Sequence, residues 1–239
     1  MTSDNPTALR SHSLSGGTLA NDVLRRLRED LISCVLKPGD KLRFEALRGL
    51  YGVSYSTLRE ALSRLSSEGL VIAEGQRGFF AAPISEADLL DITDARVVLE
   101  LECVTRAMER GDADWEASII SAFHKLDRLE DSMGEELRTT PDWDRLHMEF
   151  HDALVGAAGS PTLSELRHLL FERARRYRRI SALVRKEPRK KSSEHRMMME
   201  AVLGRDIDDA RDLMERHIRE VAQNVLRNGL LLKQAEVQV

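Results

Sequence analysis

The sequence predicts a mainly α-helical chain in two parts: an N-terminal three-helix unit closed by a β-hairpin, then a longer bundle made of helices alone. Three observations carry this. Apolar residues recur at spacings of three and four through most of the 239 residues, as buried helix faces require. One short stretch, 70–82, instead sets two apolar runs around a turn holding two glycines. Gly111, Pro141, Gly159-Ser160-Pro161 and Pro188 punctuate the remainder, and the length suits two domains with separate cores.

Composition narrows the class. No apolar run is long enough to span a bilayer, and residues 1–17 are rich in Ser, Thr, Asn and Gly rather than basic and then apolar. A cytoplasmic protein with a disordered arm at 1–16 is expected. Cys34 and Cys103 stand far apart with no CxxC, so both read as core residues and neither as part of a disulfide scaffold or thiolate cluster. The net charge of -4 does not by itself suggest a nucleic-acid partner. Its distribution is uneven: residues 1–84 hold 11 Lys or Arg against 9 Asp or Glu, and the rest 25 against 31.

The first unit is expected over 17–83. Leu19, Val23, Leu24, Leu27, Leu31 and Val35 mark a helix over 19–35, stopped by the turn Lys37-Pro38-Gly39-Asp40. A short helix follows over 43–51, Gly52 suits a turn needing positive φ, and Ser54 can cap a third helix reaching 68. Its inward stripe is Leu58, Ala61, Leu62 and Leu65. Ser54, Tyr55, Ser56 and Arg59 are left at its exposed N-terminal end, where such a helix can enter a major groove. Residues 70–73 and 79–82 form the hairpin around 74–78, giving a winged helix-turn-helix. Periodicity alone leaves a purely structural three-helix unit equally open.

The residue string goes further. Leu36-Lys37-Pro38-Gly39-Asp40-Lys41-Leu42, then Gly52-Val53-Ser54-Tyr55-Ser56-Thr57-Leu58-Arg59-Glu60-Ala61-Leu62-Ser63-Arg64-Leu65, then Glu68-Gly69-Leu70-Val71 resembles the GntR family of transcription regulators. The resemblance implies that Ser54, Tyr55, Ser56 and Arg59 touch double-stranded operator DNA and that the wing tip, Gln76 and Arg77, reaches the minor groove. The family commonly has Arg where this chain has Tyr55, and another Arg where it has Glu45. Arg43 is the residue placed to compensate for the second. The operator sequence is expected to differ from the family's usual one, with the binding mode kept.

The second unit is expected over 84–232, with a tail at 233–239. Ser85 and Asp88 offer a capping box for a helix over 86–109, and five more are expected over 115–133, 143–158, 163–184, 194–203 and 207–230. His147 and His151 are four apart on one helix and project from one face, with Asp144 a turn earlier on that face. His195 and His217 come from two later helices that an antiparallel bundle can bring alongside. Such histidines also occur as ordinary core or surface residues. Ten basic residues over 173–191 read as a solvated face and loop rather than a second nucleic-acid site.

The segments around Phe150-His151-Asp152 and Glu194-His195, on through Gly204-Arg205-Asp206 to His217, resemble the FCD ligand-sensing domain of the FadR subfamily. That resemblance implies a divalent ion on His151, His195 and His217, with His147 standing where the family usually has Asp. A fourth imidazole favours zinc or nickel over magnesium or calcium, and an anion site without metal is the other reading. Arg96 matches a family arginine that pairs with an effector carboxylate, against an ordinary salt bridge to Glu100. Tyr177 and Arg178 are further effector candidates. Lys41 to Leu47 and Glu74 to Phe79 also resemble repressors of glutarate and related acid catabolism, which implies a short dicarboxylate effector. The expected protein is a homodimeric regulator, not an enzyme. The rivals are a regulator answering to metal alone and a metal-dependent hydrolase fused to a DNA-binding module.

Overall fold

Helix α1 (Leu19–Ile32) turns Val23, Leu24, Leu27, Leu31 and Ile32 inward. It stops three residues short of the expected end, because Cys34 adopts a left-handed backbone with φ 59°. Val35 therefore lies outside the buried face, 65% exposed, and Cys34 is only half-buried where a core residue was expected. Cys103 is fully in the core. The computed structural model describes residues 19–133, 140–184 and 191–228. The expected arm at 1–16, the break at Pro188 and the tail at 233–239 lie outside them.

Helix α2 (Phe44–Tyr51) ends at Gly52, whose φ of 67° is the conformation glycine adopts without a Cβ penalty. Helix α3 (Tyr55–Ser67) begins at Ser54, whose Oγ accepts the Thr57 N–H at 3.2 Å. All four residues of its expected inward stripe are buried. Strands β1 (Val71–Glu74) and β2 (Gly78–Ala81) pair antiparallel with Val71 opposite Ala81, joined by one 3-10 turn. A third segment joins this sheet, which periodicity did not reveal. The Leu42 N–H donates to the Phe79 carbonyl at 2.8 Å and the Ala81 N–H to the Asp40 carbonyl at 2.9 Å, so the segment before α2 flanks β2.

The second unit comprises α4 (Glu86–Arg110), α5 (Ala113–Met133), α6 (Pro141–Val155), α7 (Pro161–Val184), α8 (Lys191–Leu203) and α9 (Ile207–Arg227). Pro141 and Pro161 open helices rather than break them, as suits a residue with no N–H to leave unpaired. Helix α4 lies along α9 and α7, α5 along α6 and α8, and α8 on α9. Their shared core includes Val104, Ile119, Leu126, Trp143, Phe150, Leu154 and Met198. Only half of the expected capping box forms: Ser85 Oγ accepts the Asp88 N–H at 3.1 Å. The Asp88 carboxylate is claimed instead by the Tyr177 hydroxyl at 2.8 Å and by Arg173 at 2.7 Å.

Helix α7 is where the two units meet. Arg176 donates to the Ala82 carbonyl at 2.8 Å, and Arg175 reaches Glu29 on α1. Among the described residues, no helix is long and apolar enough to cross a membrane.

Candidate nucleic-acid interface and metal centre

Arg43, Ser54, Tyr55, Ser56, Arg59, Gln76 and Arg77 are all exposed, on one end of α2, the N-terminal end of α3 and the tip of the hairpin. The Ser54 hydroxyl is 2.8 Å from that of Ser56 and 2.9 Å from that of Thr57, which fixes the cap at the start of α3. Tyr55 does not stand free. Its hydroxyl donates to Glu45 Oε1 at 3.0 Å, its ring lies 5.7 Å from that of Phe44, and the Arg48 guanidinium sits 4.6 Å from its centroid. At the wing tip Arg77 pairs with Glu74 at 2.7 Å and lies over Phe80. Reaching a groove requires it to leave that pair, which costs little at an exposed site.

The four histidines converge. His147 and His151 come from α6, His195 from α8 and His217 from α9; all are buried, and one nitrogen of each lies within 4.8 Å of the others. His147 Nε2 and His151 Nε2 are 3.2 Å apart. Two nitrogens bound to one tetrahedral zinc at its usual bond length would be about 3.3 Å apart, so this pair is already spaced for a shared ion. Burial, with His217, His195, Arg167 and Arg96 nearby, pushes His151 well below the usual imidazole range and keeps it in the neutral, ligating form. Its Nδ1 is buried without a hydrogen-bond partner. Carboxylates stand behind two of the rings: Glu194 Oε2 is 3.4 Å from His217 Nδ1, and Glu130 Oε1 is 3.7 Å from His195 Nδ1. Such partners orient imidazole ligands. Trp143 stacks on His147 at 4.4 Å.

Asp144 does not join this group. Arg175 takes it at 3.2 Å, with Arg179 at 3.8 Å. The basic run is not a solvated face over its middle part: Arg175, Arg176 and Arg178 are largely buried against α1, Ala82 and Phe171, while Arg173 and Arg179 stay partly exposed. The basic side chains over 185–191 lie outside the described residues.

Arg178 is the unusual member. It is 8% exposed, none of its three guanidinium nitrogens has a hydrogen-bond partner, and it stacks 4.0 Å from the centroid of Phe171. Burial, opposed by Asp144 and reinforced by Arg96 and Arg175, pushes it down to about 9. Arg96 lies 5.2 Å from the same ring centroid. Its contact with Glu100 is long, 3.5 Å, because the other Glu100 oxygen is held by Arg167 Nε at 2.6 Å, and Arg96 Nε has no partner. Phe171 in turn faces His147 and His151 at 6.0 and 6.1 Å. Tyr177 is placed elsewhere. Its hydroxyl serves Asp88 and Ser85, and Asp88 precedes Arg96 by eight residues, about 12 Å along α4. There it clamps the start of α4.

Residues 19–81 match the bacterial regulatory proteins of the gntR family, and residues 91–220 match the FCD domain, which alone spans more than half of the chain. The chain belongs to the GntR family. It is 38% identical over 201 residues to the HTH-type transcriptional repressor GlaR of Escherichia coli K12, covering 82% of this chain and 91% of that one. It is 33% identical over 215 residues to BphR, an uncharacterized HTH-type transcriptional regulator of Paraburkholderia xenovorans LB400, covering 90% and 88%. The solved structure of E. coli McbR/YncC superposes with a TM-score of 0.68 at 22% identity over 92% of this chain and 99% of that one, a likeness of fold.

As a GntR-family member, this chain is a DNA-binding transcriptional regulator. Two residues that matter to the geometry were missed in the sequence of this GntR protein. Phe171, the ring between the two arginines, lies in an ordinary apolar stripe with nothing to single it out. Arg175 was one of ten basic residues and carried no local signal of its own.

Proposed function

We propose that this GntR-family protein is a repressor whose hold on double-stranded operator DNA is set by a small carboxylate or dicarboxylate bound in the helical domain. The observation that carries the reading is Arg178: a buried guanidinium without an acceptor, with a second under-used guanidinium on Arg96 against the same Phe171 ring, which faces His147 and His151. A buried cation left so is costly unless an anion completes it, and a carboxylate fits a guanidinium through two parallel hydrogen bonds. Two such groups favour a dianion.

His147, His151, His195 and His217 would hold the divalent ion, zinc or nickel. Such an ion would add a positive centre that attracts a carboxylate held beside the four rings. Four imidazoles complete a tetrahedral set with no position kept open for a reacting water, which supports a sensor rather than a hydrolase. The name of the repressor GlaR supports the sign of regulation.

The route from site to DNA is α7. It carries Arg178 to the site and Arg175 and Arg176 to the N-terminal unit, so a ligand that draws on Arg178 bears on the helix that seats that unit. To switch, the ligand must bind the two arrangements with different affinity. Leu90 and Val98, eight residues apart on the outer face of α4, are 40% and 68% exposed and support a homodimer, acting in the cytoplasm on two half-sites.

A thermal-shift screen of short mono- and dicarboxylates, on zinc-loaded, nickel-loaded and chelated protein, tests this. The expected result is a C4 to C6 acid that raises the melting temperature and releases operator DNA, with Arg96→Ala and Arg178→Met insensitive to it. Release by metal alone, with no acid effective, would select the metal-responsive regulator instead.

A further inference from the structure

We propose that Glu45, Tyr55 and Arg48 act as one base-reading unit, and that Glu45 selects a cytosine in each operator half-site. The three side chains come from two helices but are joined. Tyr55 opens α3, and its hydroxyl donates to Glu45 Oε1 at 3.0 Å, while Arg48, one turn after Glu45 on α2, packs its guanidinium on the Tyr55 ring. Phe44 backs that ring at 5.7 Å, and Phe79 of β2 lies 6.0 Å from Phe44, so the hairpin supports the group from behind. Glu45 is thereby carried to the end of α3 that enters a major groove.

A carboxylate on that surface has few possible partners. It cannot serve as a backbone contact, because a phosphate repels it. Its own backbone N–H and the Tyr55 hydroxyl, then Arg48 and Arg43, hold Glu45 below the usual carboxylate range, so it meets DNA ionised. Ionised, it only accepts hydrogen bonds. Oε1 is engaged by Tyr55, and the exposed carboxylate, with two oxygens and about four lone-pair sites, keeps acceptor capacity for a further donor. The major groove offers two exocyclic amines, cytosine N4 and adenine N6. Adenine places the N7 acceptor beside its amine, facing the carboxylate, and cytosine does not. The charge of Arg48 and Arg43 offsets that of Glu45, so the acid adds discrimination without repelling the duplex.

The test is selection from a random-sequence duplex library with the full-length chain, followed by titration of the selected sites. The native protein should return a cytosine at one fixed position per half-site. Glu45→Arg should replace it with guanine and Glu45→Gln with adenine, at that position alone, each losing at least tenfold on the native site. Tyr55→Phe should keep the remaining positions and weaken the cytosine preference severalfold, since Glu45 then loses its tether. The same consensus for Glu45→Arg as for the native chain would overturn the assignment. So would a gain in affinity for every sequence alike, which is the behaviour of a phosphate contact. Melting temperatures of the three variants should match the native one, because all the substituted side chains are exposed.

Discussion

Arg175 of α7 donates to Glu29 of α1 at 3.1 Å, joining two residues 146 positions apart, and the same nitrogen donates to Asp144 at 3.2 Å. Its other terminal nitrogen holds Glu172 at 3.0 Å. Burial works to lower the Arg175 pKa, but Glu172, Asp144 and Glu29 together raise it above the ordinary value. One guanidinium thus ties the DNA-binding unit to the start of α6, three residues before His147. Arg175→Met is expected to cost about 1–3 kcal/mol, the penalty of stranding its partly buried carboxylates. Adding Glu29→Gln should cost little more, because the two changes break one contact. Operator affinity with and without the acid, followed by fluorescence anisotropy, should show the acid's effect reduced at least fivefold in Arg175→Met. Full release of that variant would remove α7 from the route.

Arg178 should respond in the opposite sense. Replacing a buried charge that has no hydrogen-bond acceptor with an apolar side chain of similar length removes a desolvation cost, so Arg178→Met should raise the acid-free melting temperature by about 2–4 °C, on the order of 1 kcal/mol. The loss of stacking on Phe171 limits the gain. The same variant should show no further stabilisation by the acid. A drop in melting temperature with the acid response retained would make the guanidinium a structural group.

The histidine site predicts one zinc or nickel per chain by equilibrium dialysis. Native-state binding at 100 times Kd is worth about 2.7 kcal/mol, so chelation should lower the melting temperature by about 5–10 °C. His151→Ala should bind no metal and melt where the chelated native protein does. Chelation that leaves the melting point unchanged would mean that the four imidazoles pack without an ion.

What the sequence disclosed follows the range of the interactions. The stripe Leu58, Ala61, Leu62 and Leu65, the Ser54 cap and the Gly52 turn are set by neighbours a few residues away, and each is where periodicity and capping place it. Val35 fits the same period yet is exposed, because a single left-handed residue at Cys34 ends the helix first. Asp144 shares the histidine face by spacing, but its partners are Arg175 and Arg179, from a helix the spacing does not see. Asp88 likewise leaves its own cap for Tyr177 and Arg173. The basic run misled for the same reason: composition describes what a segment carries, and only the fold decides which of those charges face water.

The reading helix and the wing should fail differently when altered. Arg59 is exposed on α3, one turn past the Ser54–Tyr55–Ser56 end, and an arginine there is long enough to reach guanine O6 and N7. Arg59→Ala should weaken binding to the selected operator by about 1–3 kcal/mol and relax preference at one base pair. Arg77 must leave Glu74 and Phe80 to reach DNA, so its contribution is net of that exchange. An arginine set in the minor groove lies between the phosphates of both strands and neutralises part of their charge. Arg77→Ala should then weaken all sequences nearly alike and reduce the slope of log affinity against log salt by about 1. Titrations at four salt concentrations on matched and scrambled duplexes separate the two. Loss of sequence preference in Arg77→Ala, with the salt slope unchanged, would make the wing a base reader instead.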